Sequence, residues 1–413
     1  MPQYIRENGA IKVIPDDNTT EDGEIDLSPT RKIIDEGDII LEGRDDGSTV
    51  IREKRPEDHT FLTNKRTVKL EGGEDFQESN SRYISRYIKK NDKLLFSKGT
   101  NGLYILDAEN LQYTKKLDKF DISLPDGSFL VSIHQPTGKI FLSGSNSSSV
   151  LIFNVNESTG NYEKTGEITL FVNESTGEEE SSVNGSICLD YLNKLIFIGK
   201  KQVTFVDPIS ESQIGKTETG TGIDSIGNIN SQPKGYKRSD RILFMAESGE
   251  TILVDPISQS ATDLSSVLGE NVVDLVYVPR IDEFYGETNS SFGEIESIDV
   301  VNIKGSTLEK SIRSYPGKDK RLLRPLQVIE DRFIISTVGS DRSSSDFNLE
   351  LIDPKTNTVV DGISGREDDE NNLLSLISVA FDSKRNRLVY YENYGETNLS
   401  AKLGIVDYNP FYD

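Results

Sequence analysis

One pattern recurs seven times along this chain and leaves few folds open to it: an apolar run ends in Asp or Asn and a turn follows at once. It occurs as Leu103-Tyr104-Ile105-Leu106-Asp107, Leu151-Ile152-Phe153-Asn154, Thr204-Phe205-Val206-Asp207 and Ile252-Leu253-Val254-Asp255. It returns as Asp299-Val300-Val301-Asn302, Leu349-Glu350-Leu351-Ile352-Asp353 and Gly404-Ile405-Val406-Asp407. The intervals between the terminal residues are 47, 53, 48, 47, 51 and 54, a mean of 50. The turns repeat as well. Asp207-Pro208-Ile209-Ser210 and Asp255-Pro256-Ile257-Ser258 match residue for residue, and Asp353-Pro354-Lys355-Thr356 is a close variant. Asp or Asn caps such a turn by accepting backbone N–H groups, and Pro in the next position presets φ. Asp107, Asn154, Asp207, Asp255, Asn302, Asp353 and Asp407 therefore read as structural turn residues rather than as ligands.

Two further apolar runs precede each of these anchors. The nearer one opens on a basic residue, as in Lys93-Leu94-Leu95-Phe96, Lys139-Ile140-Phe141-Leu142, Lys194-Leu195-Ile196-Phe197 and Arg387-Leu388-Val389-Tyr390. With room for a fourth strand after the turn, each unit holds four short strands in about 50 residues, and long helical periodicity is hard to find. Tandem units of this kind are the signature of a β-propeller. The expectation is an all-β chain with a seven-bladed β-propeller at 59–413. Its innermost strands should lie near 83–88, 130–134, 185–189, 223–229, 273–278, 325–329 and 376–380. A single blade cannot bury its own faces, so the ring would be one cooperative domain.

The second unit carries a family resemblance. Ser132-Ile133-His134-Gln135-Pro136-Thr137-Gly138-Lys139-Ile140-Phe141-Leu142-Ser143 resembles the His-Pro-x-Gly-Lys-x-Leu-Tyr-Val turn of surface-layer-type (YVTN) and lactonase-type propellers. Ser149-Val150-Leu151-Ile152-Phe153-Asn154-Val155, followed by Ser158-Thr159-Gly160, continues the likeness. It covers about one blade well and the others loosely, and Gln135 departs from it by separating the His from the Pro. The resemblance implies an architecture more than an activity. Trp is absent and the kelch double glycine is missing, which argues against WD-repeat and kelch propellers.

After Asp407 only six residues remain, too few for a turn and a fourth strand. A propeller must close or leave an unpaired edge. Residues 61–70, which alternate at Arg66-Thr67-Val68-Lys69-Leu70, are the candidate for a "Velcro" closure of the last blade. Residues 1–58 then form an N-terminal extended, β-rich arm with strand-like pieces and too few apolar residues for an independent core. Such an arm either packs along the ring or adds strands to a partner. The partner reading is favoured, with Ile11, Val13, Ile33, Ile34, Ile39 and Leu41 as docking residues.

Charge and rare residues bound the chemistry. There are 46 basic against 69 acidic side chains, a net charge of −23, which disfavours nucleic-acid and anionic-membrane partners. The N-terminus lacks a secretory profile and no run reaches the ~18 apolar residues of a membrane span, so membrane insertion is not expected. One cysteine and two histidines leave no disulfide framework and no His-rich metal site. Around Asp16-Asp17-Asn18 an EF-hand alignment fails, because Pro29 falls where a bidentate carboxylate is required. The runs Glu178-Glu179-Glu180 and Glu367-Asp368-Asp369-Glu370 read as solvated loop charge. His134 and Cys188 fall at structural positions of their units, and His59 reads as a solvent-facing linker residue. The lactonase resemblance would ask for charged groups at a propeller mouth, and Glu247, Arg280 and Glu392 are the candidates. Sequons at Asn146, Asn156 and Asn173 read as Asn/Ser-rich turns.

No cofactor is expected. The favoured reading is a non-enzymatic structural or recognition protein of a virion, whose arm anchors it in a larger assembly while the ring displays loops to sibling subunits, a host-surface protein or a glycan. A lactonase-like hydrolase and a cytoplasmic interaction scaffold are the alternatives.

Overall fold

The computed structural model describes residues 3–7, 10–14, 33–36, 39–43, 49–53, 59–69, 83–98, 102–118, 129–144, 147–171, 183, 185–199, 202–219, 234–237, 241–245, 251–264, 272–288, 297–304, 307–314, 322–329, 333–339, 348–364, 374–394 and 402–410. Among the described residues the chain is all-β, with antiparallel sheets and two single 3₁₀ turns. It divides into two compact units, residues 1–61 with 411–413, and residues 62–410.

The first unit holds one five-stranded antiparallel sheet in the order Gln3–Glu7, Ala10–Ile14, Thr49–Glu53, Ile39–Gly43, Ile33–Glu36. The strand-like pieces anticipated as free for a partner therefore pair with one another. Pairing is the local solution for backbone N–H and C=O groups that would otherwise lack partners.

The second unit holds seven four-stranded sheets. Sheet I comprises Tyr83–Ile88, Lys93–Lys98, Gly102–Asp107 and Tyr113–Asp118, and sheet II Phe129–His134, Lys139–Gly144, Ser149–Val155 and Tyr162–Thr169. Sheet III runs through Gly185–Leu189, Lys194–Ile198, Gln202–Asp207 and Ser212–Glu218, and sheet IV through Lys234–Lys237, Ile242–Met245, Thr251–Asp255 and Ser260–Asp263. Sheet V takes Val272–Val278, Glu283–Thr288, Ser297–Lys304 and Thr307–Ser314, and sheet VI Leu322–Ile329, Phe333–Gly339, Asn348–Asp353 and Thr358–Ser364. Sheet VII is built from Leu374–Asp382, Arg387–Tyr394, Lys402–Tyr408 and, from the other end of the chain, Leu62–Lys69.

One innermost strand departs from the expected position. The strand beside Ile242–Met245 is Lys234–Lys237, paired from Lys237↔Ile242 to Lys234↔Met245, and residues 223–229 lie outside the described residues. Four residues separate 237 from 242, whereas a strand ending at 229 would need a connection about three times as long. Lys234-Gly235-Tyr236-Lys237 has no apolar run to betray it.

The core lies between successive sheets rather than within any one of them. Tyr104 and Leu106 pack toward Val389, Leu403 and Ile405 of sheet VII, while Leu103 and Ile105 of the same strand pack toward Ile140, Leu142 and Phe153 of sheet II. Phe141 and Ile152 then face Leu195, Phe197 and Val206 of sheet III, whose Ile196 and Phe205 face Phe244 and Val254 of sheet IV. Val300 and Tyr285 meet Ile334 and Ile352 across sheets V and VI. Burial on both faces explains why these strands read as unbroken apolar runs instead of alternating ones.

Candidate interaction surface

The third-to-fourth connection of a sheet is built by its anchor residue. In sheet III, Asp207 Oδ1 accepts the N–H groups of Ile209 and Ser210 at 2.8 and 3.4 Å, and Asp207 O accepts that of Glu211 at 2.8 Å. Glu211 takes the left-handed conformation, φ 58°. Sheet I repeats this with Asp107, Glu109, Asn110 and a left-handed Leu111. In sheet IV, Asp255 Oδ1 accepts from Ile257 and Ser258, and Gln259 is left-handed. In sheet VI, Asp353 Oδ1 accepts from Lys355, and Asn357 is left-handed. Burial opposes ionisation of Asp107, Asp207 and Asp255, but the hydrogen bonds they accept win and hold each carboxyl below its usual range.

Three anchors behave differently. In sheet II the capping residue is Asn156, whose Oδ1 accepts the Ser158 N–H at 2.9 Å and whose carbonyl accepts that of Gly160 (φ 70°). Asn154 remains in the strand and accepts only from Val155. Asn302 also sits inside a strand, opposite Glu309, because pairing continues to Lys304↔Thr307 and the chain reverses beyond it. Asp407 lies in the third strand of sheet VII, where its carboxylate takes Arg66 Nη1 at 2.9 Å and Asn64 Nδ2 at 3.1 Å from the strand Leu62–Lys69.

In sheets II, III and VII the basic residue that opens the second strand reaches into the next sheet, whereas Lys93 and Arg241 pair with the anchors of their own sheets, Asp107 at 3.1 Å and Asp255 at 3.3 Å. Lys139 Nζ donates to Pro208 O and Ile209 O, both at 3.2 Å, and pairs with Glu211 Oε1 at 2.6 Å. Lys194 Nζ donates to Pro256 O, and Arg387 donates to Ala108 O of sheet I. In sheet V, Arg313 of the fourth strand serves Pro354 O at 3.3 Å. Every one of these acceptors includes the carbonyl one residue past an anchor, so the turn that ends one sheet is held by its predecessor. First-to-second and third-to-fourth connections lie at the same end of an antiparallel sheet, and these contacts gather them on one face.

The large hydrophobic side chains exposed among the described residues are Tyr191, Ile209, Ile214 and Ile257, at 56, 55, 43 and 67%. All belong to sheets III and IV. Ile209 and Ile257 occupy the second position after the anchor, and Tyr191 sits in the first-to-second connection of sheet III, three residues before Lys194. Nothing in the duplicated Asp-Pro-Ile-Ser turn had marked these isoleucines as a surface. The signal was present in the other turns, where the same position holds Glu109, Ser158 and Lys355.

In the first unit, cross-strand register aligns Ile11 with Ile51, Ile51 with Leu41, and Leu41 with Ile34. Val13 and Ile39 stand two residues from Ile11 and Leu41 and share their face, whereas Ile33, paired with Glu42, is on the other.

The chemical candidates are dispersed. His134 is fully buried, with Nδ1 2.8 Å from Thr137 Oγ1 and Nε2 3.2 Å from Asn193 Oδ1. Cys188 is buried 3.6 Å from Asp190 Oδ1. His59 is half-buried and sits edge-on to Phe61, centroids 4.6 Å apart, rather than free in solvent. Arg280 lies in the first-to-second connection of sheet V, Glu392 lies toward the opposite end of a second strand, and Glu247 is outside the described residues. The loops 16–26, 178–180 and 367–370, with Asn146 and Asn173, are outside them too. Among the described residues no group of three or more His, Cys, Asp or Glu side chains could hold a metal ion, and no helix is long and apolar enough to cross a membrane.

No family model matches the chain, and no curated protein matches it by sequence. Among solved structures it is similar to the β-propeller domain of Cps50 (Swd1) from Myceliophteria thermophila, at 10% identity and a TM-score of 0.49, over 80% of this chain and 98% of that one.

Proposed function

We propose that the chain is a non-enzymatic recognition protein: a seven-bladed β-propeller, closed by residues 61–70 in its last blade, that docks through its N-terminal unit into a larger protein assembly, which we take to be a virus particle. The propeller reading is supported by seven consecutive sheets whose contacts pass from each to the next and return from Arg387 to Ala108. The observation that carries docking is the register of the N-terminal sheet. It gathers Ile11, Val13, Ile34, Ile39 and Leu41 on one face and Ile5, Ile14, Ile33, Ile40 and Val50 on the other, and a single sheet with apolar positions on its faces needs a further layer to cover them. The proposed docking set is Ile11, Val13, Ile33, Ile34, Ile39 and Leu41, of which Ile33 stands on the face opposite the other five.

The test is the double substitution Ile39→Asp, Leu41→Asp in the full chain. Docking predicts an unchanged melting temperature and lost incorporation into the parent assembly. A lowered melting temperature with intact incorporation would mean that this face is covered within the chain. Recovery of the protein in purified particles checks the virion part. The lactonase-like alternative predicts turnover on a lactone panel, and measurable turnover would overturn the non-enzymatic reading.

A further inference from the structure

We propose that the adjacent turns of sheets III and IV form a second docking surface, for a protein segment bearing aliphatic or aromatic side chains flanked by lysine or arginine. The turn itself gives no reason for isoleucine. At five equivalent positions the backbone N–H bonds the anchor side chain at 2.8–3.0 Å, and the residue supplying it is Glu109, Ser158, Ile209, Ile257 or Lys355. Any side chain satisfies that geometry, and a β-branched apolar one at a solvent-facing turn is the least favoured on local grounds. Isoleucine occurs in two neighbouring sheets, and the other exposed large hydrophobic side chains among the described residues, Tyr191 and Ile214, are on the same pair.

The two turns are held in place. Lys194, which opens the strand that follows Tyr191, donates to Pro256 O beside Ile257, and Lys139 holds Pro208 O and Ile209 O. They also form a gap in the charge. Residues 208–215 contain one ionisable side chain and residues 256–262 none, in a chain that is 28% charged. That one, Glu211, is paired with Lys139 at 2.6 Å. A fixed, charge-poor apolar patch has the composition of an interface centre. The occupant follows from the surrounding field. A net charge of −23 on each copy opposes self-association and draws basic flanks toward the rim.

The proposal uses a surface outside the N-terminal unit and does not depend on docking there. The experiment selects binders from a random dodecapeptide library displayed on phage, using the full chain as bait. Selected peptides are then measured against the double variant Ile209→Ser, Ile257→Ser, which installs the residue found at position 158. Apolar peptides with Lys or Arg flanks are expected, binding the variant about tenfold or more weakly, while binding to the Ile39→Asp, Leu41→Asp variant stays unchanged. Equal binding to both isoleucine and serine forms overturns the proposal, as does selection of acidic or wholly polar peptides, or of none. Sedimentation of the wild type provides a further arm: self-association abolished in the serine variant would make a second copy the occupant and likewise overturn it.

Discussion

Arg385 grips Asp92 through two near-parallel hydrogen bonds, Nη1 to Oδ1 at 2.8 Å and Nη2 to Oδ2 at 2.7 Å, joining sheet VII to sheet I across 293 residues of chain. Lys384 Nζ reaches the same carboxylate at 2.6 Å, and the Tyr87 hydroxyl donates to it at 3.0 Å. The Arg385 guanidinium holds the Asp92 carboxyl well below its usual range, against the opposing effect of burial. Arg385 is pushed up in turn, first by its hydrogen bond to Asp92.

Removing this carboxylate has a pH signature. A carboxyl depressed in the folded state stabilises fully above its unfolded pKa of about 4 and loses that contribution as pH falls toward the folded value. Asp92→Asn is therefore expected to lower stability by about 1.5–3 kcal/mol near neutrality. The deficit should be constant from about pH 8 to 5 and should shrink below about pH 4. Urea unfolding of both proteins across that range checks it, and a deficit that grows on acidification would contradict it.

Truncation separates the N-terminal unit from the strand that completes sheet VII. Leu62–Lys69 pairs with Lys402–Tyr408, and the Leu62 N–H donates to Asp361 Oδ2 of sheet VI at 2.8 Å. Deleting residues 1–58 is expected to leave a cooperative thermal transition in the remainder. Deleting 1–72 removes the strand, unpairs that ladder and costs several kcal/mol out of a typical total of about 5–15 kcal/mol. Equal melting of the two truncations would show that the strand contributes nothing.

Gly404 faces Tyr390 across sheet VII, and a Cβ there would lie 2.0 Å from the ring's Cε2. Gly404→Ala must displace a buried aromatic side chain and is expected to cost about 1–3 kcal/mol. Combining it with Tyr390→Leu should cost less than the two single changes together, because the second removes the clash. Strict additivity in chemical denaturation would exclude a direct contact.

The two asparagines of sheet II make a paired comparison. Asn156→Ala removes the cap of a turn and is expected to cost about 1 kcal/mol, whereas Asn154→Ala forfeits one bond to the adjacent N–H and should cost clearly less. Melting temperatures rank them, and the reverse order would return the anchor to 154.

That pair also shows where a sequence reading of this chain succeeds and stops. Burial on both faces of each sheet writes itself into the chain as dense apolar runs, and the turn chemistry punctuates them, so strand order was legible almost throughout. The anchor of sheet II was displaced by two because Asn154 and Asn156 are equally good turn formers, and only hydrogen bonding tells them apart. With 156 as the anchor the intervals of 47 and 53 become 49 and 51, closer to the mean. Asn302 misled for the opposite reason: its sheet continues past the motif. Lys234–Lys237 was hidden by its polarity, and the seam at Asp92 by the chain length separating its partners. The isoleucines of the surface patch were read as turn residues because a turn motif explains its Asp and Pro completely and leaves the third position unexamined.

The strand Leu62–Lys69 sets a schedule for biosynthesis. Its partner, Lys402–Tyr408, is made only after the whole of sheets I to VI. Until then the nascent polypeptide carries an alternating strand with no ladder to join, and the unpaired backbone along it invites pairing between neighbouring chains on a polysome. Sheet VII is thus completed long after its N-terminal strand is made, and the yield of this protein should respond to chaperones and to expression rate more than its final stability would suggest.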